Sequence, residues 1–177
     1  MKIKSIAVCS LCIALASVLS MIKLYQFPFG GSVTLLSMLV ITLPAWIYGF
    51  KTGTLTGFLY GMVQFALGPT VISIPQVILD YVLAFTVMGV AGLIKNKKNS
   101  LVKGYSLAVV ARWVIATLAG LAWVAAGTTA WEGWNPILYS MVYNGAYIFA
   151  EAILTLAIIS MSPMRKALER VKEQVQL

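Results

Sequence analysis

Residues 75–98 read PQVILDYVLAFTVMGVAGLIKNKK. The run from Pro75 to Ile94 carries a single charge, Asp80, and is followed directly by Lys95, Lys97 and Lys98. A helix needs about 20 mostly apolar residues to cross a hydrocarbon core roughly 30 Å thick. Lysines gather at its cytoplasmic end. The stretch therefore reads as a membrane helix that runs inward, with one carboxylate buried near its outer end.

The remainder of the chain agrees. Of 177 residues, 60% are hydrophobic and 10% charged, where a soluble domain carries about 25% charged residues. Mean hydropathy is +0.91. One soluble core cannot absorb that much apolar surface. The net charge of +8 would suggest nucleic acid on a soluble protein. In an apolar chain it fits basic cytoplasmic loops instead.

Six segments read as spans: 5–22, 33–50, 53–68, 75–94, 105–127 and 137–161. The first resembles a signal peptide, but it lacks a convincing cleavage site and further apolar segments follow, so it is kept as a helix. The third is rich in glycine (Gly53, Gly57, Gly61, Gly68) and is expected to be tilted, broken or re-entrant. Lys2, Lys4, Lys51, Lys95, Lys97, Lys98, Lys103, Arg165, Lys166, Arg170 and Lys172 fall on one side of these spans. Lys23 and Glu132 fall on the other. The expectation is an all-α bundle of six transmembrane helices with both termini in the cytoplasm. Residues 1–162 form the membrane domain and 163–177 an amphipathic cytoplasmic tail.

Three ionisable residues lie within spans, where such groups are rare and face the bundle interior. A rise of about 1.5 Å per residue puts Arg112 roughly 10 Å and Glu151 roughly 15 Å from the inner end, so a structural ion pair between them is expected. Asp80 lies roughly 8 Å below the outer surface, with no basic side chain at its depth. Gln76, Tyr81, Trp123, Tyr139 and Asn144 share that depth, and Trp131 and Trp134 lie just above. A carboxylate among aromatic rings suits a cationic, ring-containing ligand, through charge neutralisation, stacking and cation–π attraction. The competing reading is an ordinary interfacial aromatic belt.

Other features exclude chemistry. The sequence contains no histidine, the commonest general base and metal ligand. No metal or cofactor site and no catalytic dyad is evident. Cys9 and Cys12 match C-x-x-C but sit in an apolar helix, where they read as small packing residues rather than a redox pair. Ser10 and Ala14 form a small-xxx-small pair that could pack within the bundle or seat a partner helix. No G-x-x-x-x-G-K-[ST] loop occurs, so the sequence has no means of hydrolysing ATP.

The segments FPFGGSVTLLSM, GFLYGMVQFALG, PQVILDYVLAFTVMGVAGL and WNPILYSMVYNGAYIFAE resemble the thiamine-specific substrate-binding (S) components of energy-coupling factor transporters, over about residues 5–162. The D-Y-x-x-A-F and Y-S-x-x-Y-N elements carry the resemblance. It implies a six-helix bundle in the plasma membrane of a prokaryote. The vitamin would bind near the outer face under a lid made by the first outer loop. Transport would need a membrane coupling subunit and two ATPase subunits. Asp80, Tyr81, Tyr139 and Asn144 would contact the ligand, as would Trp123 and Gly120 on the fifth helix, Gln76 beside Asp80, and Trp131 and Trp134 in the last outer loop. Ser10 and Ala14 would dock the coupling subunit. The family's fifth-helix histidine is replaced here by Ala116, which leaves the exact vitamer open. The alternative is a self-sufficient, proton-coupled secondary transporter with Asp80 or Glu151 as carrier. A membrane-embedded enzyme has only Asp80, Glu151 and tyrosines to work with.

Overall fold

The computed structural model describes residues 3–127 and 133–176. Among them seven helices follow one another: α1 (Ile3–Met21), α2 (Ser37–Tyr48), α3 (Phe50–Leu67), α4 (Ile74–Ile94), α5 (Ser100–Ala125), α6 (Pro136–Ser160) and α7 (Ser162–Gln176). The all-helical expectation misses one element. Between α1 and α2 the chain forms an antiparallel hairpin, β1 (Lys23–Gln26) and β2 (Ser32–Thr34), around a 3-10 turn at Pro28–Gly30. Gln26 pairs with Ser32, and the Phe27 N–H donates to the Gly31 carbonyl at 2.7 Å.

Among the described residues α1, α4, α5 and α6 are long and apolar enough to cross a membrane. Their outward faces are apolar: α1 exposes Leu11, Leu15 and Val18 while Cys9, Cys12, Ala16 and Ser17 are buried. That is the inverse of a soluble helix and suits lipid surroundings.

The second expected span is shorter than read. β2 takes its first residues, and α2 keeps 12 residues, about 18 Å of helix. Met38, Leu39, Ile41, Ala45, Trp46 and Ile47 are all buried, so α2 lies in the centre of the bundle with apolar groups all round. The glycine-rich third segment is one unbroken helix. Its glycines are there for contact, not for bending. A Cβ at Gly57 would strike the Phe85 carbonyl, and one at Gly61 the Tyr81 carbonyl. Backbone-to-backbone approach of this kind is how helices associate tightly in lipid.

Along α4 the winding changes. An α-helical turn (Ile74–Val77) opens into π geometry over Ile78–Leu83 and tightens to 3-10 over Val87–Ile94. Asp80 and Tyr81 sit in the widened part, and π segments of this kind recur at functional sites.

The expected Arg112–Glu151 ion pair is not what holds these residues. The Glu151 carboxylate accepts from the Thr34 N–H at 3.0 Å, the Thr34 hydroxyl at 2.6 Å, the Met38 N–H at 3.1 Å and the Ser37 hydroxyl at 3.3 Å. Thr34 ends the hairpin, and Ser37 and Met38 open α2. The first N–H groups of a helix lack internal partners and attract negative charge. Glu151 therefore caps α2 from the side of α6. The Arg112 guanidinium instead lies over the Phe85 ring, 4.6 Å from its centroid. Depth alone suggests the pair, but β2 and the start of α2 bring two donors each to Glu151.

At the opposite end α7 folds back on the bundle. Leu168 and Val175 pack on the core, and the Gln176 side chain donates to the Ile47 carbonyl at 2.7 Å. The Lys172 ammonium sits 4.4 Å from the Trp46 ring centroid. Partial burial, with Lys95 nearby, pulls its pKa below the ordinary lysine value; Glu169 opposes the shift.

Candidate ligand-binding site

A cavity of about 340 Å³ opens between α3, α4, α5 and α6 beneath the hairpin. Sites for small molecules fall in the range of roughly 300–1,000 Å³. Of the residues expected at the site, Gln76, Asp80, Tyr81, Gly120, Trp123, Tyr139 and Asn144 all line this cavity. They come from α4, α5 and α6. Trp134 is exposed and does not line it. Trp131 lies outside the described residues. Ala116, at the family's histidine position, is buried in the core and does not face the cavity.

Asp80 is held in place by protein donors. Its Oδ2 accepts from the Gln76 amide at 2.8 Å and from the Trp123 indole N–H at 3.4 Å. Gln76 is buried and fixed in turn: its oxygen accepts from the Ile72 N–H and its nitrogen donates to the Thr70 carbonyl. One turn of helix separates Gln76 from Asp80, so the π segment and the loop before α4 together aim the carboxylate. Tyr81 accepts from the Thr70 N–H at 2.8 Å and packs edge-on against Phe65.

Asn144 finds its partners on its own helix. Its amide nitrogen donates to the Ser140 carbonyl at 2.9 Å, and its oxygen accepts from the Tyr147 hydroxyl at 2.7 Å. A carbonyl oxygen has two lone pairs, so one acceptor site remains for a ligand. Ser140 donates across to the Thr117 carbonyl at 2.7 Å, which locks α6 to α5. Gly120 makes that approach possible: a Cβ there would overlap the Ser140 hydroxyl and come within 2.9 Å of the Asn144 amide nitrogen. Gly120→Ala is therefore expected to cost about 1–3 kcal/mol of stability, as overpacked sites do. It should also weaken ligand binding by moving Asn144. A thermal melt beside a ligand titration measures both.

Sequence reading leaves Tyr143 and Tyr147 unassigned, yet both line the cavity. The available sign is their spacing: Tyr139, Tyr143 and Tyr147 recur every fourth residue, on one helix face. Tyr139 and Tyr143 stack at 5.9 Å with planes 19° apart. Phe27, from the hairpin, meets Tyr143 and Tyr147 at 6.2 and 6.3 Å. Arg112 and Glu151 line the same cavity.

An apolar-jacketed helical bundle with a roofed cavity of ligand size, walled by aromatic rings and a fixed carboxylate, defines a membrane protein that holds a small solute. Known proteins point the same way. The profile of the family described as "Thiamine transporter protein" matches residues 6–170. Thiamine transporter ThiT of Bacillus subtilis is 31% identical over 143 residues, 73% of each chain. ThiT of Lacticaseibacillus paracasei is 27% identical over 128 residues, 63% of each chain. A solved structure of ThiT from Listeria monocytogenes superposes with a TM-score of 0.71 at 26% identity, covering 90% of this chain and 94% of that one. The chain belongs to the thiamine transporter family. Its curated relatives are named as transporters, not enzymes.

Proposed function

We propose that this chain is the thiamine-binding subunit of an energy-coupling-factor importer. It takes the vitamin from outside and delivers it with a separate module of one membrane coupling subunit and two ATPases. The observation that carries the reading is a cavity lined by aromatic rings and a carboxylate held by Gln76 and Trp123. Asp80 neutralises the cationic ring or accepts from an amino group. Trp123 and Tyr139 offer ring faces, Tyr81 and Asn144 polar edges, and Gln76 orients Asp80.

In this reading α1 to α6 all traverse the membrane, with α2 and α3 sheltered by the longer helices. Both termini face the cytoplasm of a bacterial cell. Lys51, Lys95, Lys97 and Lys98 cluster about one end of the bundle, where Lys95 donates to the Tyr48 carbonyl and α7 is docked. That clustering supports the orientation.

Ser10 and Ala14 lie on the exposed face of α1, away from the buried Cys9 and Cys12. Small residues on an open face suit a partner helix. In liposomes the chain alone should bind thiamine without accumulating it, and uptake should need the coupling subunit, both ATPases and ATP. Replacing Ser10 and Ala14 with Leu should abolish that uptake and leave binding within about twofold, well under the tenfold that 1.4 kcal/mol represents. Uptake by the chain alone under a proton gradient would instead establish the secondary transporter. Of that reading's two carriers, Glu151 is already engaged by four donors.

A further inference from the structure

Tyr143 stands in the cavity wall, and its hydroxyl is bound to the hairpin. It accepts the Gly31 N–H at 3.1 Å and donates to the Pro28 carbonyl. Both groups belong to the turn of the hairpin that roofs the site. Gly31 is pressed so close that a Cβ would lie 2.7 Å from the Tyr147 ring and 2.9 Å from the Tyr143 hydroxyl. The hairpin's other end is tied through Thr34 to Glu151 on the same helix. Eight residues separate Tyr143 from Glu151, about 12 Å along α6.

The two attachments differ in kind. At Glu151 a carboxylate gathers four donors on its two oxygens in a buried setting. At Tyr143 a neutral hydroxyl makes two bonds at a partly open position. Charge-assisted bonds are roughly twice as strong as neutral ones. The turn at Tyr143 is thus the weaker of the two attachments, and Thr34 at Glu151 the stronger.

We propose that Tyr143 is the latch of the hairpin lid and sets how long the ligand stays bound. Its ring is cavity wall, stacked on Tyr139, while its hydroxyl is the catch. A ligand packed against that ring steadies the catch, and a closed lid prevents escape. Tyr143 is thus a positioning residue that acts through the lid. The proposal rests on the ligand-binding reading above, with thiamine as the probe.

Tyr143→Phe keeps the ring and deletes both bonds. Thiamine association and dissociation are followed by stopped-flow tryptophan fluorescence. The variant should dissociate ten- to a hundredfold faster, with the association rate within threefold of wild type and an unchanged ligand-free melt. Gly31→Ala, which blocks the seat, should do the same. The double variant should be no worse than either single change, because both remove one catch. Hydrogen exchange of amides 24–33 without ligand should rise in Tyr143→Phe. Unchanged dissociation, or losses that add in full, would overturn the latch. If wild type binds no thiamine at all, the vitamin reading fails, and the exchange experiment alone then decides whether the latch exists.

Discussion

Asp80→Asn is expected to weaken thiamine binding roughly 10- to 150-fold. A hydrogen bond to a charged group contributes about 1.5–3 kcal/mol, and each 1.4 kcal/mol is a factor of ten. The geometry explains why the effect falls on binding and not on folding. Gln76 and Trp123 both donate to Oδ2. An amide oxygen can still accept from them, so the wall keeps its shape. What the neutral amide cannot supply is the negative charge that a cationic ring requires. A titration of the variant beside its ligand-free thermal melt distinguishes the two effects. Unchanged affinity with a lowered melting temperature would mean that Asp80 serves packing, and the site would be wrongly placed.

Glu151→Ala should act in the opposite way, with a loss of at least about 3 kcal/mol of stability. Four donors converge on this carboxylate, and each buried donor left unsatisfied costs about 1–3 kcal/mol. The α2 terminus would lose its anionic cap and the hairpin its anchor. Arg112→Met should cost less, since the observed partner of Arg112 is the Phe85 ring, an interaction of about 0.5–2 kcal/mol. The two changes should also be nearly additive. Melting temperatures of both variants and of the double variant test this. Strong coupling between them would restore the ion pair.

These residues show what depth along a helix can and cannot predict. Asp80, Gln76, Tyr81, Trp123, Tyr139 and Asn144 are found from depth, because helix rise fixes height along a span. They meet in one cavity. Depth also places Arg112 and Glu151 at similar heights, but direction around the helix is a separate coordinate. It depends on how neighbours pack, and there the expectation fails. The helix positions themselves are legible to within a few residues: the segment 75–94 is α4 and 137–161 is α6. Apolar length and basic flanks are strong constraints. The hairpin is not legible. Its strands have four and three residues, too few for an alternating pattern to stand out. Val33 and Thr34 simply extend the apolar run of the second segment. The glycines of α3 read as weakness because composition cannot show that a carbonyl of α4 lies against each of Gly57 and Gly61.

On the proposed reading this chain, by itself, holds thiamine in the cavity lined by Asp80, Trp123, Tyr139 and Asn144. Calorimetric titration of the purified wild-type chain with thiamine, with no other subunit present, tests it most directly. Saturable binding to a single site per chain is expected. Absence of saturable heat, with the bundle intact by thermal melt, would contradict it.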